Sequence, residues 1–341
     1  MEVWHFLLLL ILLAVLTYLN KMFHDNLRTV FLADKTTEGF EGAPVPGAVV
    51  ESTNVVRWLD VNELYDSFYA SVYDELTQGS VRSQAEVGLI LHEWTKTGDD
   101  LTKFEVLDAG CGTGIVTASF AKMNVKKVVG IDKSHAMITQ AKTKTLPQTT
   151  LTEDQKSHIE WREGDLYSPS AAAGGEFSHA VVLYFTLYTF VDKEAFFRSL
   201  FFWIRPGGRL AVHVVNKHKF DPMLESAAPW MGFSLQKYSD TRVTKSDVTF
   251  NKFKYTGEFE LTDPAAEFRE TFRFSDGTIR RQRHTMRMED MNKIVEFART
   301  AGWEYMGYTD LTPISFEYAF HLHFRHPLGV VYETLDVFRH P

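Results

Sequence analysis

The stretch Glu105–Gly114, reading Glu-Val-Leu-Asp-Ala-Gly-Cys-Gly-Thr-Gly, constrains this chain more than any other. Phe104, Val106 and Leu107 read as a short buried strand that Asp108 and Ala109 end. Gly110, Cys111, Gly112, Thr113 and Gly114 then form a tight turn, and Ile115–Met123 continues as a helix. Strand, glycine turn and helix open a nucleotide-binding βαβ unit. Glycine suits such a turn for two reasons. The backbone must take angles that a Cβ resists, and a ligand must approach the main chain closely. Three glycines alone fit a purely structural turn as well.

The residues that follow narrow the choice. Lys126–Ile131 reads as a second strand with Asp132 at its end. An acid some 20 residues past the glycines is placed to accept both hydroxyls of a ribose. Ser134 caps a helix through Met137 and Ala141. Ile159–Leu166 is a third strand ending in Gly164-Asp165-Leu166. An NAD-binding domain is the competing reading, but it usually wants the third glycine one position later.

The ordered series Val106–Gly114, Gly130-Ile131-Asp132-Lys133-Ser134 with Met137, and Gly164-Asp165-Leu166 resembles the class I S-adenosylmethionine-dependent methyltransferases. The resemblance extends through Phe177–Phe190 and Pro206-Gly207-Gly208-Arg209-Leu210, and covers roughly residues 60–325. It implies an α/β fold: a Rossmann-like, doubly wound, seven-stranded sheet, mostly parallel with the last strand antiparallel. It implies S-adenosyl-L-methionine as cofactor. The backbone of Gly110, Cys111, Gly112, Thr113 and Gly114 would receive the methionine and ribose portion, with Asp108 near the donor's amino group. Asp132 would accept the ribose hydroxyls, with Lys133 and Met137 beside it. Asp165 would accept from the adenine amino group, and Leu166 would pack on the ring. Tyr184, with Phe185 and Tyr188, would line the cationic methyl site. The Asn/Asp-Pro-Pro-Tyr-type motif of base- and amide-modifying branches is replaced by Leu183-Tyr184-Phe185-Thr186, which argues against those acceptors.

Composition limits the partners. The net charge of −8 disfavours nucleic acid, which demands a basic face. Arg280-Arg281-Gln282-Arg283-His284 is one local basic run, which reads first as a solvated strand face and only secondarily as a basic patch. Cys111 is the sole cysteine, so no internal disulfide forms and a reducing compartment fits. The 13 histidines are dispersed without metal-ligand spacing, so no metal is expected. His213, in the expected fifth strand Arg209–Val215, reads as a packed strand residue or else as a base or substrate contact. If a base is used, His213 or a tyrosine is a candidate, and no residue is singled out for catalysis.

At the amino end, Val3–Leu19 is strongly apolar and just long enough to span a bilayer with Met22 and Phe23. Trp4 and Tyr18 stand near its ends, as interfacial aromatics do. A cleaved signal is the rival, but Glu2 leads the segment and no small-residue cleavage site follows. Lys21 and Arg28 lie on the carboxyl side. The positive-inside rule therefore expects a single-pass membrane protein with its catalytic domain in the cytosol. The expected domains are an anchor at 1–24, a Gly/Pro-punctuated linker at 25–56, a catalytic domain at 57–326 and a tail at 327–341. Residues 217–287 form a β-rich insertion within the catalytic domain, turning at Asp276-Gly277. It serves either as a cover over the substrate pocket or as edge decoration.

A helix is expected over Arg57–Gln78, with Tyr65, Tyr69 and Tyr73 on one face. That face packs the core or lids the cofactor. Lys142–His158 reads as a polar connection, Val248–Leu261 as one extended segment and Met288–Ala301 as the last core helix. The function these expectations point to is membrane-tethered N- or O-methylation of a small or lipid-like acceptor. A protein methyltransferase near the membrane and a non-enzymatic scaffold are the alternatives.

Overall fold

In the computed structural model, which describes residues 57–77, 79–222 and 242–328, the glycine turn follows β1 (Glu105–Ala109) at the centre of a seven-stranded sheet. Its partners are β2 (Lys127–Asp132), β3 (Ile159–Glu163), β4 (Phe177–Val182), β5 (Ile204–Val215), β10 (Glu304–Asp310) and β11 (Ala319–Arg325), in the order β10-β11-β5-β4-β1-β2-β3. The first five strands are parallel. The last strand, β11, enters between β5 and β10 and runs antiparallel to both, as the sequence leads one to expect.

Strand alternation decides which helices cover which face. Leu107, Val129, Ala180 and Val212 point toward α5 (Lys193–Trp203) and α6 (Met291–Thr300), packing with Phe196, Leu200, Trp203 and Ile294. Val106, Val128, Val181 and Ala211 point the other way, toward α2 (Gly79–Thr95) and α3 (Ile115–Lys122). Both faces are therefore dry, as a parallel sheet requires. Each fully buried large aliphatic or aromatic side chain contributes about 1.5–3 kcal/mol by removal from water.

A second, four-stranded antiparallel sheet is formed by β6 (Lys245–Thr249), β7 (Phe253–Thr262), β8 (Ala265–Phe274) and β9 (Ile279–Arg287). The single extended segment expected over Val248–Leu261 is in fact the β6–β7 hairpin, its turn held by the Phe250 amide on the Phe253 carbonyl. Helix α1 (Ser67–Thr77) packs on this sheet through Phe68, whose ring meets Phe272 and Phe274 edge-on.

Two more expectations need correction. The helix expected from Arg57 begins only at Ser67, because Asp66 accepts from the amide of Tyr69 as an N-cap does. Upstream of it, Leu59 pairs with the edge of β9. The connection Lys142–His158 is largely helical. α4 (His135–Gln140) runs into a π-turn at Ala141–Thr145, and Glu153–Ser157 forms a short helix under a Thr152/Gln155 capping box. That box was readable from Thr152-x-x-Gln155.

The expected anchor, the linker and most of the tail lie outside the described residues. Among the described residues no helix is long and apolar enough to cross a membrane.

Candidate functional site

A cavity of about 950 Å³ opens where the carboxyl ends of β1 to β4 meet the second sheet. Gly110 and Gly112 follow β1, Asp132 ends β2, Gly164 to Leu166 follow β3, and Tyr184 follows β4; all of them line it. Ligands of open α/β sheets sit at this edge.

The turn is built to present backbone rather than to hold phosphate. Gly112 has φ 53° and open space where a Cβ would stand, so a ligand can press against the main chain there. At Gly114, φ is 83° and a Cβ would collide with the Trp161 ring. The amides of Gly110 and Cys111 both donate to the Ile131 carbonyl, at 2.8 and 3.1 Å. Gly112 donates to Asp132 Oδ2 at 2.9 Å and Gly114 to the Cys111 carbonyl at 2.9 Å. A pyrophosphate-binding turn would leave such amides facing its ligand.

Asp132 is fixed from both sides, since Ser134 N also donates to its Oδ1 at 2.8 Å. Each carboxylate oxygen keeps a second lone pair for a diol. Burial raises its pKa, and the amides of Ser134 and Gly112 oppose that rise. Asp165 is half-exposed, accepts from Tyr167 N at 3.0 Å and stands 3.8 Å from Lys133 Nζ. Met137 and Leu166 are buried in the lining.

Asp108, Cys111, Thr113 and Gly114 stand behind the lining rather than in it. Asp108 accepts from Thr117 Oγ1 at 2.6 Å, and burial pushes its carboxyl up to about 7. Thr113 donates to Asp74, whose carboxyl burial pushes up to about 6. Burial also drives the Cys111 thiol well up, so the thiol stays neutral.

Among the described residues, the lining carries seven carboxylates against Lys133 and Arg287. An acidic cavity suits a cationic guest and repels a polyphosphate. Its rings add to this. Tyr65, Tyr69, Tyr73, Tyr184, Phe185 and Tyr188 all reach the cavity, and aromatic faces attract cations. Thus the tyrosine stripe of α1 and the turn before it, Tyr65, Tyr69 and Tyr73, both packs and lines. Tyr184 takes φ 55°, an uncommon state for a residue with a Cβ, and carries the Arg82 guanidinium 4.1 Å above its ring.

The insertion supplies the far wall. Phe259, Phe268 and His284 are successive cross-strand partners on β7, β8 and β9, and all three line the cavity. Behind His284 lies Glu270, which is fully buried. Glu270 Oε2 is 2.6 Å from His284 Nε2 and accepts from Gln282 Nε2 at 2.8 Å; Oε1 accepts from the Tyr255 hydroxyl at 2.8 Å. Burial alone would raise the Glu270 carboxyl, but the neighbouring His284 and the hydrogen bonds from His284, Gln282 and Tyr255 hold it below the usual range. The Tyr69 and Tyr65 hydroxyls approach the same imidazole at 3.3 and 3.4 Å.

The sequence did not single out Glu270 or His284. The available signal was an acid among the alternating aromatics Phe268, Phe272 and Phe274, a pattern that buries a charge. Two other expectations change. His213 does not reach the cavity; it is buried on the α2 face of the sheet, so the reading of it as a base falls. The run Arg280–His284 is not a basic patch, and only its outward half is a solvated strand face. Arg280 and Gln282 are fully buried, and Arg280 bonds Asp66 Oδ2 at 2.6 Å and the Leu64 carbonyl at 2.9 Å.

Comparison with known proteins agrees with this geometry. Residues 106–208 match the family described as "Methyltransferase domain". Magnesium-protoporphyrin O-methyltransferase of Rhodobacter capsulatus is 32% identical over 90 residues, 26% of this chain and 36% of that protein. The ubiquinone/menaquinone biosynthesis C-methyltransferase UbiE of Vibrio vulnificus (strain YJ016) is 28% identical over 120 residues, 35% of this chain and 44% of that protein. The chain therefore spans less than half the length of these curated relatives. Among solved structures, an S-adenosylmethionine-dependent methyltransferase from Clostridium acetobutylicum ATCC 824 superposes with TM-score 0.56 at 15% identity, covering 76% of this chain and 98% of that one. DesVI of Streptomyces venezuelae gives TM-score 0.51 at 20% identity over 76% and 98%. At such identities the superpositions speak for the fold, and the match over 106–208 speaks for the domain. The match over 106–208 gives the chain a methyltransferase domain, and its fold is that of S-adenosylmethionine-dependent methyltransferases.

Proposed function

We propose that this protein methylates nitrogen or oxygen of a small, apolar or lipid-like acceptor, with S-adenosyl-L-methionine as donor. The observation that carries this reading is the single cavity running from Asp132 and Gly112 to the Phe259–Phe268–His284 wall. One end suits an adenosyl diol and a cation; the other suits an apolar ring or chain with one ionisable group. The donor brings a methyl carbon on positively charged sulfur, already activated for in-line displacement. The protein's task is then to orient, to exclude water and to take a proton. Asp132 fixes the ribose, and the tyrosine and phenylalanine rings exclude water. His284, held by Glu270, accepts the proton from the acceptor's nitrogen or oxygen. The apolar stretch Val3–Leu19 tethers the enzyme to a membrane, with Lys21 and Arg28 keeping the catalytic domain on the cytosolic side.

The experiment is isothermal titration of the full chain in detergent with S-adenosylmethionine and S-adenosylhomocysteine. A panel of phenols, quinols, amines and isoprenoid lipids is then scored for uptake of labelled methyl. Binding of both nucleosides with labelling of at least one small acceptor is the expected result. Labelling of protein substrates alone would overturn the small-acceptor reading, and no nucleoside binding would overturn the enzyme.

A further inference from the structure

Glu86, His213 and His321 meet on the face of the sheet remote from the cavity. Glu86 comes from α2, while His213 and His321 are direct cross-strand partners on β5 and β11. All three are buried, His321 completely. His213 Nδ1 lies 2.9 Å from Glu86 Oε1, and His321 Nε2 lies 3.7 Å from the same oxygen. One ligand atom from each residue lies within 4.8 Å of the others. Glu86 Oε1, His213 Nδ1 and both nitrogens of His321 lack a partner of hydrogen-bonding geometry. Buried polar atoms left so are costly, on the order of 1–3 kcal/mol each.

We propose that these three side chains bind a divalent transition-metal ion, zinc by preference. Two imidazoles and a carboxylate are a zinc donor set. With metal–ligand bonds near 2.0–2.2 Å, a tetrahedral site sets its ligand atoms about 3.3 Å apart. The two observed distances straddle that value. The fourth position falls to the second Glu86 oxygen or to a water. None of the three residues lines the cavity, so the ion is structural. It pins α2 to β5 and β11. Arg82 lies one helical turn before Glu86, so the pin also holds the guanidinium over the ring of Tyr184. Local spacing gave no hint of this, because the three ligands lie more than a hundred residues apart in the chain.

The test uses the full chain, purified without chelator and analysed for metal by mass spectrometry, then stripped and titrated with Zn²⁺ and Co²⁺. About one equivalent of tightly held zinc is expected, with a melting temperature that falls on stripping and recovers on zinc addition. His321→Leu should weaken zinc at least about 100-fold while remaining soluble, since it fills the same buried space. Should that variant not fold, His321→Cys keeps a ligand, and its Co²⁺ form should show a thiolate charge-transfer band absent from the parent. Folded parent protein that takes up neither ion at micromolar concentration, with a melting temperature indifferent to both, would overturn the proposal and leave the triad a polar core contact.

Discussion

Asp132 shows how far one side chain can be prepared in advance. Both its oxygens are oriented by backbone amides, so a diol meets a carboxylate that needs no rearrangement. Removing it in Asp132→Ala should cost about 1.5–3 kcal/mol per lost charge-assisted bond, so nucleoside affinity measured by titration should fall at least about 10-fold, and about 100-fold or more if both hydroxyls lose their partner. Asp108 and Asp74 add a pH dependence. Their folded pKa values of about 7 and about 6 lie above the ordinary carboxylate value. The folded state therefore holds more protons than the unfolded one, and unliganded stability falls as pH rises through about 4 to 7. A cation bound nearby favours their ionised forms. Cofactor binding should then release protons near pH 6.5 and tighten as pH rises to 7.5, seen as a buffer-dependent titration enthalpy. His284 belongs to a different step: His284→Phe should leave cofactor affinity unchanged and lower turnover about 100-fold or more. Equal losses in binding and turnover would place His284 in the cofactor site instead. Of these residues, Asp132 was legible from strand and spacing. Glu270 and His284 were not, because their meeting depends on the register of β8 against β9, which no local pattern states.

At the scale of elements, Lys193 is a buried charged tie between the core and the insertion. Its ammonium is buried at the start of α5, donates to the Phe190 and Arg287 carbonyls at 2.8 Å each, and pairs with Glu289 at 2.7 Å. It thereby fastens α5 to the end of β9. Lys193→Met leaves the Glu289 carboxylate buried with only a 3.3 Å contact to Arg287. A loss on the order of 3 kcal/mol is expected by denaturant titration, and Lys193→Met with Glu289→Leu should recover most of it. A double variant as unstable as the single one would show that packing, not charge, is what Lys193 supplies. Elements with a strong internal signal were legible: the glycine turn, the Asp276-Gly277 hairpin and the helix ending at Gly302, whose φ is 102°. The start of α1 was not, since Asp66 and Arg280 settle it through a contact across the cover. The β6–β7 turn has little turn chemistry of its own and is set by the sheet it joins.

On the scale of the whole molecule, the sheet was legible through the family resemblance of its motifs, and right-handed crossovers are consistent with the order observed. The tether proposed above rests on hydropathy alone. Full chain mixed with liposomes should float with them, whereas a chain starting at residue 25 should stay in the dense fraction; flotation of both would move the membrane contact elsewhere. The place of β11 has a consequence for synthesis. This strand is the last described one, yet it lies inside the sheet and donates a ligand to the proposed ion site. While a ribosome is still short of residue 319, β5 has no neighbour on that side and β10 has none on either. The nascent chain thus carries raw strand edges that invite pairing with other chains until its closing segment emerges. The sheet should therefore close only once residues 319–325 have emerged, and a product ending before residue 319 should be more protease-sensitive than one that includes them.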